Sequence, residues 1–293
     1  MKKNTRRQSG VLAKNSVLAC AGMLLCAIIW GTGFAVVKKS LDIIPPLYMM
    51  AFRFTIAAAI LAVIFRRNIA GADRSELRHS LILGVFLFAA YAFQTIGCQY
   101  TTAGKNAFLT AVYVILVPLI AWALGRRRPR ARVFAAAALA IVGIGLLSLR
   151  DDLSMNKGDA LTLVCGFWYA LHLFFIARWT QTGDSPLTLA TLQIAVAALL
   201  SWLFAPLYDG SFPAAAASLN AILAMGYLGV FSTALTFVLQ NVAQKYVASS
   251  TAAVFLSTEA VFGALFSALF LGEVMSARML IGGALLFAAL VMA

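Results

Sequence analysis

Ten apolar stretches, each close to the length a helix needs to cross a bilayer, make up most of this 293-residue sequence: about 17–38, 46–65, 80–99, 105–124, 133–149, 159–177, 186–206, 218–241, 249–271 and 276–293. Backbone N–H and C=O groups cannot stay unpaired in hydrocarbon, so stretches of roughly 20 apolar residues span as helices. With 62% hydrophobic and 11% charged residues, the chain has more apolar surface than a water-soluble domain of its length can cover. The expected fold class is an all-α integral membrane protein of ten transmembrane helices.

A formal charge of +13 would direct a soluble protein toward nucleic acid. Here the basic residues alternate by side. Lys2, Lys3, Arg6, Arg7 and Lys14 precede the first span, Arg66, Arg67, Arg74 and Arg78 follow the second, and Arg126, Arg127, Arg128, Arg130 and Arg132 follow the fourth. Arg178 and Lys245 fall on that same side. The opposite loops hold Lys38, Lys39, Lys105, Arg150, Lys157 and Arg278, diluted by Asp42, Asp151, Asp152 and Asp209. The positive-inside rule makes the first set and both termini cytoplasmic, places the loop between Arg150 and Lys157 outside, and sets the chain in the cell membrane. The charge is thereby explained as topology, and nucleic acid is not expected as a partner. The apolar run from Val17 to Val37 is too long for a signal sequence and has nine spans behind it, so it is kept as the first helix. Cys20, Cys26, Cys98 and Cys165 lie inside spans and are expected only to fill space.

The spans fall into two halves of five that repeat one another. Pro46-Leu47 is followed by Arg53 as Pro186-Leu187 is followed by Gln193, each leading into an alanine-rich run. Leu83-Gly84-Val85-Phe86 recurs as Leu228-Gly229-Val230-Phe231, and Gln94 through Tyr100 as Gln240 through Tyr246. In this register Tyr113 falls opposite Glu259, and Trp30 opposite Trp168. Five is odd, so the second copy enters the bilayer inverted, and inverted repeats around a mid-membrane cavity are the architecture of secondary transporters. The expected organisation is a basic cytoplasmic tail at 1–16, a first five-helix repeat at 17–149, an extracytoplasmic linker at 150–158 and a second, inverted repeat at 159–293.

The box Trp30-Gly31-Thr32-Gly33-Phe34, the segment from Pro46 to Arg53, the Gly158-Asp159-Ala160 opening of the sixth span with Trp168 following, and the stretch from Thr251 to the closing Leu271-Gly272-Glu273, with Glu259 inside it, occur in that order. Together they resemble the drug/metabolite transporter superfamily, EamA type, over nearly the whole chain. The resemblance implies a ten-helix bundle with a central cavity, usually an exporter of amino acids, metabolites or hydrophobic compounds. Two departures stand out. Many such proteins end the fourth helix with a Gly-Glu like that of the ninth, whereas this chain reads Gly125-Arg126-Arg127-Arg128-Pro129. Many also continue past the tenth helix with a charged tail, while this sequence stops at Ala293 with no charge after Arg278.

Ionisable groups at membrane depth nominate a site without reference to family. Glu259 lies about 16 Å along the ninth span, near the midplane. Its helical neighbours are Phe255, Leu256, Phe262 and Gly263, so a bare carboxylate there is costly and the group can carry a proton, or serve as a neutral hydrogen bonder between helices. Arg53 cannot shed its charge and must find a carboxylate, carbonyls or water, either as an anion site for a substrate carboxylate or as a clamp to a neighbouring helix. Lys38 and Lys39 are expected to snorkel to the headgroups. Tyr91, Gln94, Asn106, Tyr113, His172, Gln193, Gln240 and Asn241 supply polar groups to the pathway or to helix contacts. His172, four residues past Trp168, is expected to look into the same cavity, as a hydrogen bonder or a proton relay. Trp30, Phe34, Trp168 and Phe255 are candidates for its aromatic wall. Pro118 is expected to kink the fourth span, and no half-helix break like those of sodium-coupled carriers is expected, hence no sodium site.

No zinc-protease, hydrolase-elbow or phosphate-loop motif is present in the sequence, and no enzyme activity, metal or cofactor is expected. A channel-like facilitator or a non-transporting scaffold is the alternative, although rings of like polar residues are not apparent. The expected partners are a small-molecule substrate and the lipid bilayer, and a homodimer is compatible with the sequence.

Overall fold

The computed structural model describes residues 2–125, 128–148 and 155–292, so Arg126 and Arg127 and most of the expected linker at 150–158 lie outside the described residues. The described chain is helical: α1 (Lys2–Ser40), α2 (Pro46–Ile64), α3 (Arg66–Ala70), α4 (Arg74–Tyr100), α5 (Ala103–Thr110), α6 (Tyr113–Ala123), α7 (Ala131–Ser148), α8 (Lys157–Thr182), α9 (Pro186–Tyr208), α10 (Leu219–Gly229), α11 (Thr236–Gln244), α12 (Ser249–Ser257), α13 (Glu259–Leu271) and α14 (Ala277–Met292). A π-helical turn, Val230–Leu235, joins α10 to α11. Eight segments are long and apolar enough to cross a bilayer, with α5–α6, α10–α11 and α12–α13 each forming one of them. The fifth and tenth expected spans correspond to two shorter apolar helices, Ala131–Leu147 and Ala277–Ala289.

Local sequence sets the helix ends. Pro46 and Pro186 open α2 and α9 at positions whose N–H would be unpaired in any case. Asp73 and Glu76 form a reciprocal capping box on α4, and the backbone N–H of Glu76 holds the Asp73 carboxyl below the usual carboxylate range. Gly125 (φ 83°) and Gly272 (φ 66°) follow the last turns of α6 and α13 in the left-handed region that other residues avoid.

Small residues let the helices approach closely. A Cβ on Gly84 of α4 would lie 2.8 Å from the Gln193 carbonyl oxygen of α9 and against Val196. One on Gly229 of α10 would lie 3.1 Å from the Arg53 carbonyl oxygen of α2 and 2.7 Å from Ile56. Gly143 and Gly282 meet reciprocally, α7 against α14, each 2.8–2.9 Å from the other's carbonyl oxygen once a Cβ is added. Such contacts replace the hydrophobic effect, which gives helices in lipid little reason to associate.

Two ends of the bundle differ in charge. At one, Lys105 pairs with the fully buried Asp159 at 2.7 Å, and Asp159 also accepts from Thr101 Oγ1 at 2.5 Å. Lys38 does not reach away from the protein as expected. Its ammonium donates to the carbonyl oxygens of Cys98 (2.8 Å) and Thr101 (2.7 Å), because the last carbonyls of α4 lack helical partners. Glu273 accepts from the backbone N–H of Ala103 (2.8 Å) and Gly104 (3.0 Å), capping α5, and Asp209 accepts from Leu47 and Tyr48 at the start of α2. Partial burial raises the Asp209 carboxyl above its ordinary range. The other end, held by contacts such as Glu76 with the Ser185 N–H (2.7 Å) and His79 with Asp184 (2.6 Å), carries Arg66, Arg67, Arg74, Arg128, Arg130, Arg132 and Arg178. We call these the mixed-charge end and the basic end.

Two spans pass through tight turns near their middles, one of them in the fourth span, where a kink at Pro118 is expected. α5 passes to α6 through Ala111 and Val112, where Val112, Val114 and Ile115 bond three residues back rather than four. α12 passes to α13 at Thr258, with Thr258 and Val261 bonded in the same tight way. Pro118 itself sits inside a continuous α6, and the tight turns lie before the position it would disturb.

Candidate functional site

The breaks bring Tyr113 and Glu259, each the first residue of the second half-helix, face to face: the Tyr113 hydroxyl donates to Glu259 Oε1 at 3.0 Å. Beside them is a narrow central cavity of about 30 Å³ lined by Trp30, Phe34, Arg53, Tyr91, Gln94 and Glu259, together with Gly33, Val37, Asn106, Thr110, Tyr169 and Ser232. This is room for about one water molecule, so anything larger fits only if the helices part.

Arg53 is buried and finds no carboxylate among the described residues. Its Nε donates to Thr233 Oγ1 at 3.1 Å, and its Nη2 to Ser232 Oγ at 3.2 Å and to the Ser232 carbonyl at 3.3 Å. The guanidinium carbon lies 4.8 Å from the centroid of the Tyr91 ring, whose electron-rich face disperses part of the charge. Both anchoring residues belong to the π-helical turn. There the Thr233 hydroxyl bonds back to the Leu228 carbonyl at 2.7 Å, and the Ser232 carbonyl accepts from Trp30 Nε1 (3.0 Å) and the Thr236 hydroxyl (3.0 Å) as well as from Arg53. A widened turn exposes carbonyl oxygen sideways, and π-turns of this kind concentrate at functional sites. The run Ser232-Thr233 followed by Thr236 is the only trace of it in the sequence, as three hydroxyls able to bond back along one helix.

Other expected residues stand elsewhere. Trp168 does not line the cavity: half-buried against the core, it packs on Phe86 and Phe167. Tyr169, one residue and about 100° further round the helix, takes that place instead, edge-on to Trp30 at 5.9 Å. His172 also lies off the cavity lining, in a buried polar chain running toward the basic end. Asn241 donates to the Phe237 carbonyl (2.8 Å), Gln193 to Asn241 Oδ1 (3.2 Å), and Gln193 Oε1 contacts His172 Nε2 at 2.6 Å. A carbonyl can only accept, so the direction of the whole chain is fixed and His172 carries its proton on Nε2. Its Nδ1 is buried without a partner among the described residues. Gln240 donates to Gln244, which in turn donates to the Leu173 carbonyl, holding α11 to α8. Gln94 reaches Thr110 at 3.1 Å, and Asn106 reaches Thr162 at 2.8 Å, both at the cavity rim. Phe255 packs on the core and is absent from the lining.

Arg53 and Glu259 therefore face one void without pairing, a fixed cation and a carboxyl that can hold or release a proton. Comparison with known proteins agrees in kind. The chain is 32% identical to an uncharacterized transporter of Archaeoglobus fulgidus, over 98% of this chain and 89% of that one. It is 28% identical to a probable amino-acid metabolite efflux pump of Salmonella typhimurium, over 61% of this chain and 57% of the relative. It is also 24% identical to the uncharacterized inner membrane transporter YedA of Escherichia coli, over 70% and 67%. A solved crystal structure shares the fold with a TM-score of 0.68 at 18% identity, covering 95% of this chain and 96% of that one. The family model described as EamA-like transporter family matches residues 17–149 and again 156–293, and the chain belongs to that family, within the drug/metabolite transporter superfamily.

Proposed function

We propose that the chain is a ten-span carrier of the inner membrane, built from two inverted five-helix repeats, that exports amino acids and related zwitterionic metabolites by alternating access. The observation that carries the reading is the unpaired juxtaposition of Arg53 and Glu259 on one cavity. A planar guanidinium matches a substrate carboxylate, and a carboxylate opposite it matches an ammonium group. The efflux pump of Salmonella typhimurium supports the same substrate class. The repeat reading draws support from contacts that recur in register: Gly84 on Gln193 and Val196, Gly229 on Arg53 and Ile56, and Tyr113 on Glu259. α7 and α14, the shorter apolar helices, complete the ten spans, and the basic end is cytoplasmic by the distribution of arginines.

Glu259 couples the cycle to protons. In the dry, closed cavity a bare carboxylate is costly, so Glu259 holds the proton there, and it releases the proton where the cavity is wet and a substrate ammonium takes its place. The test is transport by proteoliposomes against pooled amino acids and small metabolites, with and without a pH gradient. The reading expects pH-driven accumulation of zwitterions that Glu259→Gln abolishes while exchange survives, because exchange needs no net proton movement. Arg53→Lys should weaken transport at least about tenfold with insertion intact, since a point charge cannot make the guanidinium's divergent bonds. If accumulation and its pH dependence survive in the Gln variant, Glu259 is only a bonder of Tyr113 and the carrier runs solute down its own gradient.

A further inference from the structure

A second and much larger cavity, about 710 Å³, opens at the basic end between α6, α7, α8 and the start of α12. Arg128, Arg130, Arg132 and Arg178 line it together, and among the described residues none of the four pairs with a carboxylate. All four are exposed, and together they raise a positive potential in the void that draws an anion. The opposite end shows what is missing. There Glu273, just beyond Gly272, caps the first N–H groups of α5. The matching place at the basic end follows Gly125, which has the same left-handed backbone, and the sequence there reads Arg126. The helix that such a carboxylate would cap, α12, follows Ala248, whose side chain offers no cap, and Ala248, Ser249 and Ser250 form part of the cavity wall.

We propose that this vestibule binds a phosphate group, supplied by the headgroup of an anionic phospholipid, in the position that the Glu273 carboxylate holds at the other end. Arginine forks match phosphate oxygens, and helix N-termini add N–H groups aimed at the same charge. Lipid is favoured over a dissolved anion by the rim. Arg128 lies 5.8 Å from the ring centroid of Trp122 and 5.9 Å from that of Phe134, and both rings are exposed, as aromatic groups are at headgroup level. Basic pockets between helices on the cytoplasmic side are suited to such headgroups. The inference is independent of the transported substrate and of Glu259.

Full-length protein in neutral detergent is titrated with phosphatidylglycerol, phosphatidylcholine or inorganic phosphate, reading retained lipid by native mass spectrometry and the thermal unfolding midpoint. The triple variant Arg128→Gln/Arg130→Gln/Arg132→Gln is compared with Arg66→Gln/Arg67→Gln/Arg74→Gln, which removes the same charge from the same end away from the cavity. Retention of phosphatidylglycerol that falls at least about tenfold in the first variant and not in the second supports the site. A midpoint shift by inorganic phosphate with the same variant pattern supports the phosphate site and makes the source a dissolved ion. Equal loss in both variants, or equal retention of phosphatidylcholine, overturns the proposal. Ala248→Asp supplies the missing carboxylate from within, so it should raise the lipid-free midpoint and reduce the gain from phosphatidylglycerol. An unchanged gain in that variant also counts against the site.

Discussion

The broken helix pairs α5–α6 and α12–α13 lie against each other, and their two ends are treated in opposite ways. At the mixed-charge end the helices are tied down: Glu273 caps α5, Lys105 meets Asp159, and a Cβ on Gly263 would clash with Ala107. At the basic end they diverge around an arginine-lined vestibule, with α12 left without a side-chain cap. One end is thus tied by opposite charges, and the other holds a vestibule lined by like ones. Under the proposed alternating access, a second state would loosen the first end and close the second.

Breaking the tied end should have the largest effect. Asp159→Ala leaves Lys105 and Thr101 without their shared acceptor, and loss of one partner of a buried pair costs about 3 kcal/mol or more. Arg128→Gln, at an exposed position, should stay within about 0.5 kcal/mol. Unfolding midpoints in one detergent give both numbers, and equal effects would erase the contrast between the ends. Glu273→Ala comes next. It strands the N–H groups of Ala103 and Gly104, for a loss of about 1–2 kcal/mol measured the same way. Gly125→Ala and Gly272→Ala should each cost about 1 kcal/mol, because the left-handed backbone is required equally at both ends. A cost confined to one of them would mean that the two turns are not alike. The smallest effect belongs to Asp73, at the basic end. Its carboxyl is held below the ordinary range by the Glu76 N–H, so its contribution is present above that range and is lost as pH falls through the lowered value. Acid titration of wild type against Asp73→Ala should show that dependence only in wild type.

Much of this was readable from the sequence because membrane helices announce themselves by length and their charges by price. Arg53 and Glu259 stood out as ionisable groups in apolar runs, and both line the cavity. Trp168 was misplaced because a helix rotates about 100° per residue, and a chain apolar all round gives no face to fix that rotation; Tyr169 occupies the cavity instead. The breaks at Ala111–Val112 and Thr258 carry no glycine or proline, so their cause is tertiary. Pro118 drew attention to the right span and the wrong turn. The π-helical turn at Val230–Leu235 is not legible in the sequence, since hydroxyl-rich stretches also occur in regular helices. Lys38 looked like a snorkelling residue because no sequence pattern reveals that the carbonyl end of α4 lies beside it.

Alternating access requires the two ends to open in turn, and distances across both ends test that directly. Spin labels at Leu124 and Thr251 would span the basic end, and labels at Tyr100 and Phe270 the mixed-charge end, with Cys20, Cys26, Cys98 and Cys165 replaced by alanine. On imposing a pH gradient with amino acid present, the basic-end distance should shorten in the same population in which the mixed-charge distance lengthens. Distances that stay fixed, or that lengthen together at both ends, would contradict alternating access and leave a channel-like facilitator in its place.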